Sequence, residues 1–224
     1  MAFLKKNQVP YQGVLLSFVF LMLLPGLVEG HFWANRIFDL SFFSILIFGA
    51  YAAKANKRIF TLLIGLALFA AVLRAFIWFV DEPSYGFAFL IVAGLFLIIL
   101  LAEMARHVFR SNKIDANIIY GSLCIYFFFG TLFAVIYMLL AAINGSSFSF
   151  PLEIIAGPGG EEITQNLKTF FYFSFVTQTT LGYGDITPVL PLAKNLAILQ
   201  AITGQMYIAI LVARLIGLYL VQKK

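Results

Sequence analysis

The residues whose types and spacing could do chemistry lie in one segment, Thr177-Gln178-Thr179-Thr180-Leu181-Gly182-Tyr183-Gly184-Asp185. A pore that passes a cation quickly must replace the ion's water shell with oxygen atoms at a closely matched free energy, and rings of backbone carbonyls can do this. The carbonyls must all point to one axis, which requires backbone angles of alternating hand. Because glycine tolerates positive φ, Gly182 and Gly184 at alternate positions fit this requirement. The segment therefore predicts a cation-coordinating loop.

The side chains of this loop have separate expected roles. Thr180 adds a hydroxyl oxygen at the inner mouth, whereas Leu181 and Tyr183 point away from the axis and pack the loop against its surroundings. Thr179, which directly precedes Thr180, is expected to support the loop.

A short apolar run, Leu167–Thr179, precedes the loop and must position it. With about 13 residues the run is too short to cross a bilayer as a helix, as expected of a re-entrant segment. A helix aimed at the membrane centre would place the partial negative charge of its C-terminus near the cation. We therefore predict a pore helix over this run.

The composition places these elements in a bilayer. Hydrophobic residues make up 62% of the 224 residues and charged residues 11%, so the chain cannot present an ordinary charged surface to water. Each helical span needs about 20 apolar residues. Six long apolar runs are present, at Val9–Val28, Ile37–Ala53, Ile59–Val80, Phe87–Ala105, Asn117–Ile143 and Leu190–Leu220.

Charges between the runs predict the topology. Basic clusters alternate with acidic or neutral connections, and basic residues favour the cytoplasmic side. The basic positions expected on the cytoplasmic side are Lys5, Lys6, Lys54, Lys57, Arg58, Arg106, Arg110, Lys113, Arg214, Lys223 and Lys224, and Arg36 is the one positive charge in the connection after the first run. The acidic positions on the other side are Glu29, Asp81, Glu82, Glu153, Glu161 and Glu162. Both termini are therefore expected in the cytoplasm, and the net charge of +5 reflects topology, not nucleic-acid binding.

The first run has a second interpretation. Lys5 and Lys6, the apolar stretch and Val28-Glu29-Gly30 also fit a signal peptide with a cleavage site. We expect a retained first span, and its removal would leave the later spans in the same orientation.

The last third of the chain resembles the pore module of the potassium channels. The resemblance covers about Ser174 to Tyr219, and Thr180–Asp185 matches the T-x-G-Y-G-D signature in full. With four spans ahead of this module, the chain is similar in architecture to a small six-span channel. The resemblance implies an all-α membrane protein with six transmembrane helices, a re-entrant pore helix and a filter loop, assembled as a homotetramer. It divides the chain into a four-span scaffold, 1–113, and a pore domain, 114–224.

The same resemblance implies a potassium-selective channel that conducts passively in a prokaryotic plasma membrane. The selectivity filter is then Thr180-Leu181-Gly182-Tyr183-Gly184, with K⁺ bound at Thr180, Leu181, Gly182 and Tyr183 as the permeant ion. No cofactor, nucleic acid or small-molecule substrate is expected, and the partners are three identical subunits and the bilayer. Leu181 stands where valine is commoner, which should leave the carbonyl role intact.

One supporting contact of the family is absent. Some channels place a glutamate in the pore helix, facing the aspartate that follows the filter, and here that position is Val176. Tyr172 or Tyr183 is the candidate partner of Asp185 instead. The alternative is that Asp185 is simply hydrated at the outer mouth.

The last apolar run carries the candidate gate. Gly204 stands where the family has the hinge of its inner helix, and glycine lowers helix propensity by about 1 kcal/mol and permits a bend. Close helix packing is the alternative, since small residues are favoured between membrane helices. Gln205, Ile208, Val212 and Ile216 recur at spacings of three to four, so they share one face. If this face lines the inner cavity of the pore, Gln205 adds a polar group under the filter and the aliphatic residues below it could close the pore by dewetting. The alternative is that these residues are ordinary packing.

Features of strong voltage sensing are missing. Between Phe87 and Ala102 the fourth run has no charged residue, whereas steep voltage dependence uses about three to four charges per subunit. The exception is Arg74 in the third run. An ion pair with Asp39 of the second run is the favoured interpretation, and a single remnant gating charge is the alternative. Few residues follow the last span, so we expect no cytoplasmic ligand-binding domain.

Other function classes fit less well. A non-selective cation channel often has an acidic residue in place of Tyr183. Related uptake transporters generally carry four degenerate pore loops in one chain, whereas this chain has one complete loop. A membrane enzyme would need clustered titratable groups at one depth, and the two histidines, His31 and His107, are expected on opposite sides.

Overall fold

The computed structural model describes residues 10–27, 34–53, 56–77, 79, 83–111, 115–150 and 160–222. Over these residues the chain forms seven α-helices and one small sheet. The helices are α1 (Pro10–Leu27), α2 (Ala34–Ala52), α3 (Lys57–Ile77), α4 (Pro83–Arg110), α5 (Ala116–Ile143), α6 (Gly160–Gln178) and α7 (Pro191–Gln222). The strands are β1 (Phe148–Ser149) and β2 (Thr187–Pro188).

Every predicted apolar run coincides with a helix. Four helices are long and apolar enough to cross a membrane, namely α3, α4, α5 and α7. The apolar part of α1, Tyr11–Leu23, is shorter, and α2 carries Arg36 and Asp39 near its start. Six spans therefore stay a prediction. Several charges that entered the topology prediction, including Lys5, Lys6, Asp81, Glu82 and Glu153, lie outside the described residues.

Helix α6, which covers the run predicted as a pore helix, is longer than predicted. The apolar run begins at Leu167, whereas α6 begins at Gly160. The extra turns contain Glu161, Glu162 and other polar residues. An apolar run predicts only the part of a helix that packs against other apolar groups. Hydropathy therefore does not predict the polar first turns of α6.

Helix α5 is the centre of the packed structure. It contacts α1, α4, α6 and α7, and its aromatic ring Phe128 packs edge-on against Phe18 of α1 at 5.0 Å between ring centroids. Of its most apolar stretch 56% is buried, against only 17% for α7. The single chain thus leaves most of α7 uncovered.

The small sheet joins the connection between α5 and α6 to the connection between the candidate loop and α7. β1 and β2 are antiparallel, with Phe148 opposite Pro188 and Ser149 opposite Thr187. The N–H of Val189 also donates to the carbonyl of Ser147 at 2.9 Å. The segment that leaves the loop is therefore tied to the segment that leaves α5, which restricts where α7 can begin.

The predicted ion pair between α2 and α3 is confirmed. Nη2 of Arg74 lies 2.8 Å from Oδ2 of Asp39, and the two side chains are 4% and 13% exposed. Because an arginine inside a span is costly unless paired or hydrated, this contact explains how α3 accommodates the charge. The pairing favours the structural interpretation of Arg74 over the remnant gating charge.

We predict that Asp39→Ala destabilises the protein more than Asp39→Ala combined with Arg74→Leu. Removing one partner of a buried pair costs about 3–5 kcal/mol, because the other charge is left buried, whereas apolar replacement of both is often neutral. Thermal unfolding of the purified protein in detergent measures the difference. Simple additivity of the two substitutions, Asp39→Ala and Arg74→Leu, would contradict this prediction.

Candidate functional site

The candidate loop, Thr179–Asp185, begins directly after α6 and alternates in backbone hand. Gly182 and Gly184 have φ values of +61° and +82°, as their spacing predicts, and Thr180 has a φ of +59°. Among the described residues Thr180 is the one non-glycine residue with positive φ. A β-branched residue in this region is strained by about 1–3 kcal/mol, and such strain clusters at functional sites. The sequence argument placed Thr180 in the loop but did not predict its positive φ, although Thr180 precedes Gly182 by two residues.

Hydrogen bonds at the start of the loop turn its N–H groups back toward α6. The N–H groups of Leu181 and Gly182 both donate to the carbonyl of Val176, at 3.0 and 3.4 Å, and that of Thr180 donates to Thr177 at 3.0 Å. In a trans peptide the carbonyl points opposite to the N–H. The carbonyls of Thr179, Thr180 and Leu181 therefore point away from the helix.

The carbonyl oxygens of the loop are not used for internal bonding. Within the described part of the chain, no hydrogen bond reaches the carbonyls of residues 180–183. The hydroxyl of Thr180 donates to the carbonyl of Thr179 at 2.6 Å and leaves its oxygen lone pairs available. The loop thus presents a row of oxygen atoms without protein donors, which is the chemistry that coordinates a cation.

Two side chains of the loop are uncovered in the single chain. Leu181 is 56% exposed and Tyr183 is 67% exposed. We expected both to pack against their surroundings, and one chain supplies only part of that packing. The ring of Tyr183 stacks in parallel on Tyr172 of α6, with centroids 6.4 Å apart and an interplanar angle of 7°.

Asp185 has the tyrosine partner that the sequence left open between two candidates. The hydroxyl of Tyr172 donates to Oδ2 of Asp185 at 2.7 Å. This hydrogen bond holds the pKa of Asp185 below its usual range, because it stabilises the ionised carboxylate. Val176, at the position where some channels have a glutamate, is buried and supports the loop through its backbone carbonyl.

Gly204 lies against the base of the loop. A Cβ atom at Gly204 would be 2.8 Å from the carbonyl oxygen of Gln178 and 2.9 Å from its Cγ. The close-packing role of this glycine is therefore present in the structure. Helix α7 runs without interruption from Pro191 to Gln222, and the hinge role stays a prediction.

The four candidate gate residues share an exposed face of α7. They are Gln205, Ile208, Val212 and Ile216. Nε2 of Gln205 lies 3.5 Å from the carbonyl oxygen of Gln178, which places a polar group directly beneath the loop. Further along, Arg214 donates to the carbonyls of Phe109 and Ser111, at 2.9 and 2.8 Å, and thereby ties α7 to the end of α4.

Sequence reasoning missed a group of buried polar side chains behind the loop. Gln178 and Gln200 are fully buried and hydrogen-bonded to each other, with Nε2 of Gln200 3.2 Å from Oε1 of Gln178. A signal was available, since both glutamines lie in runs that were expected inside the bilayer, and an intramembrane polar group must find a partner.

The described residues also form a surface cavity of about 370 Å³ at the C-terminal end of α4. It is lined by Ala53, Glu103, Arg106, His107, Arg110 and Ser111. Arg106 is ion-paired with Glu103. None of the loop residues Thr179–Asp185 contributes to this cavity.

Comparison with known families places the loop in a recognised domain. Residues 118–220, just under half of the chain, match the family model described as an ion channel, and the match runs from the start of α5 to the end of α7. No curated protein and no solved structure gave a match. With the four long apolar helices, the match supports an integral membrane protein with an ion channel function. It points to a channel and not to an enzyme, as predicted.

We predict that Tyr172→Phe moves the acid sensitivity of ion flux to higher pH. Because its pKa is depressed, Asp185 stays ionised as the pH falls through the ordinary aspartate range. It is protonated only when the pH falls through the lower pKa of the folded protein. Without the tyrosine hydroxyl, the pKa of Asp185 returns toward its ordinary value, so protonation begins at a higher pH on acidification. The external pH at half-maximal flux into liposomes measures this change. Tyr51→Phe, an exposed hydroxyl at the far end of α2, is the control and should leave the midpoint unchanged; equal midpoints for both variants would contradict the assignment.

Proposed function

We propose that this chain is one subunit of a homotetrameric potassium channel that conducts K⁺ passively and without strong voltage dependence. One observation carries the proposal. Left-handed backbone at residues 180, 182 and 184 alternates along a loop whose carbonyls have no donors in the described structure. Four such loops around one axis would form rings of oxygen atoms that replace the hydration shell of K⁺.

The tetramer follows from what one chain leaves uncovered. Irregular backbone at membrane depth is tolerated only where protein or a water-filled cavity surrounds it. Residues 179–185 are all exposed in the single chain, and so is most of α7. Three identical subunits would cover the outer sides of Leu181 and Tyr183 and leave the carbonyls facing a common axis.

Selectivity for potassium is supported by the way the loop is braced. Tyr183 stacks on Tyr172, and Tyr172 is bonded to Asp185 at the end of the loop. These contacts hold the last turn of the filter in place beside the pore helix. K⁺ would bind at the carbonyls of Thr180, Leu181, Gly182 and Tyr183 as the permeant ion, and no cofactor or small-molecule substrate enters the proposal.

The remaining helices fit a six-span subunit in a prokaryotic plasma membrane with both termini in the cytoplasm. Lys57 and Arg58 at the start of α3, and Arg106 and Arg110 at the end of α4, then lie on the inner side. Residues 1–113 form the scaffold and residues 114–224 the pore domain. In this arrangement Ile208, Val212 and Ile216 line the inner cavity and form the aliphatic gate.

We predict that Tyr183→Asp lowers the K⁺ over Na⁺ permeability ratio by about tenfold or more, which corresponds to about 1.4 kcal/mol. The substitution removes the ring that stacks on Tyr172 and places a carboxylate beside the filter. Reversal potentials of the purified protein under opposed K⁺ and Na⁺ gradients measure the ratio. Tyr51→Asp is the matched control, and full potassium preference in Tyr183→Asp would overturn the assignment of this loop as the filter.

We also predict weak dependence of opening on membrane potential. Each charge that crosses the field contributes about 2.3 kcal/mol per 100 mV, and the core of α4 has no charge to move. Arg74 is held by Asp39 and would need to break that pair to move. Open probability recorded across a range of potentials should give less than about one gating charge per subunit, whereas three to four would refute the prediction.

A further inference from the structure

A group of neutral, fully buried polar side chains lies behind the filter loop. It consists of Ser174 and Gln178 on α6, Gln200 on α7 and Tyr137 on α5, all 0% exposed, and we call these four residues the amide cluster. The proposed function does not use them. Buried polar groups in hydrocarbon are costly unless bonded, so a cluster of four at one level needs an explanation.

Gln200 is the central member of the amide cluster. Its Nε2 lies 2.7 Å from Oγ of Ser174, 3.1 Å from the Ser174 carbonyl and 3.2 Å from Oε1 of Gln178. Its Oε1 accepts a hydrogen bond from the hydroxyl of Tyr137 at 2.7 Å. Both ends of this one side chain are therefore bonded, and they join α7 to α6 and to α5.

The direction of these bonds is fixed from one end. Nε2 of Gln178 donates to the backbone carbonyl of Tyr126 at 2.8 Å, and a carbonyl can only accept. The other end of the Gln178 amide must then present Oε1 to Gln200, which must donate from Nε2. The Oε1 of Gln200 is left to accept from Tyr137. The cluster thus has a single consistent arrangement, and removing one member disturbs the rest.

Two glycines make the space that Gln178 occupies. A Cβ at Gly130 of α5 would be 2.9 Å from Oε1 of Gln178, and a Cβ at Gly204 of α7 would be 2.8 Å from its carbonyl oxygen. Gln178 is also the last residue of α6 and directly precedes Thr179. The base of the filter is therefore held between two helices at the residue where α6 ends.

We propose that Gln178 and Gln200 are positioning residues that couple the inner helix to the filter. The inference rests on the proposed function and deepens it. Helix α7 cannot be displaced near Gly204 without either breaking the Gln178–Gln200 bond or moving the base of the filter with it. Because both side chains are fully buried, water does not replace a broken bond between them, and movement of the filter is the favoured response. The Gln178–Gln200 contact thus makes the position of the filter depend on the position of α7.

The first experiment compares two tyrosines. Tyr137 donates to Gln200, whereas Tyr207 of α7 donates to the carbonyl of Ser122 on α5 at 2.8 Å, outside the amide cluster. Tyr137→Phe and Tyr207→Phe each remove one buried hydroxyl bond between the same two helices. We expect similar losses of thermal stability, but only Tyr137→Phe should shorten the mean open time in planar bilayers, by about fivefold. Equal open times for the two variants would overturn the proposal.

The second experiment is a double-mutant cycle on Gln178→Leu and Gln200→Leu. Gln200→Leu leaves Oε1 of Gln178 without its donor, and Gln178→Leu removes one acceptor of Nε2 of Gln200. Each should therefore reduce the mean open time by about tenfold, whereas the double variant should lose less than the product of the two effects. Independent, multiplicative effects would contradict the coupling. If a single leucine variant does not fold, the tyrosine comparison decides alone.

Failure of the proposed function gives a different result. Wild-type protein in the same recordings would then show no preference for K⁺ over Na⁺ in its reversal potential. The cycle on mean open time would still report whether the two glutamines act together. Loss of selectivity in the wild type and loss of coupling in the variants are therefore separate outcomes.

Discussion

The interior of a bilayer offers no water to hydrogen-bond with a polar group, and this constraint organises the structure. Each helix satisfies its own backbone, so most of the chain meets the constraint locally. The polar groups that remain fall into two kinds. Arg74 with Asp39, and Gln178 with Gln200, are bonded to each other. The carbonyls of residues 180–183 have no donor in the described chain, which leaves their oxygens available to a cation in the proposed function.

The two bonded pairs differ in charge, and their positions fit the difference. The charged pair joins α2 and α3, helices that do not carry the candidate loop, whereas the pair behind that loop is neutral. A buried charge next to the proposed K⁺ site would alter the energy of the ion. Amides fix geometry through directed hydrogen bonds and add no net charge. The charged contact of the loop, Asp185 with the hydroxyl of Tyr172, lies at its exposed end.

Close packing of α5, α6 and α7 depends on small residues in the same region. Gly130 and Gly204 allow the two long helices to approach Gln178 from opposite sides. Helices in a membrane associate largely through such contacts and through interhelical hydrogen bonds, since lipid chains are as apolar as leucine. Helix α6 is thus held by a neutral polar contact in addition to apolar burial.

The sequence by itself determined the helices, the loop and the glycine alternation, because hydrophobic runs and positive-φ glycines are local properties. It also predicted the Arg74–Asp39 pair, since the short connection between α2 and α3 leaves Asp39 as the acidic residue within reach. Only the tertiary structure decided that Tyr172, not Tyr183, bonds Asp185, that Thr180 shares the left-handed pattern, and that Gln178 meets Gln200. The two hydrogen bonds join residues whose separation depends on how α6, α7 and the loop pack, and hydropathy carries no information on that packing.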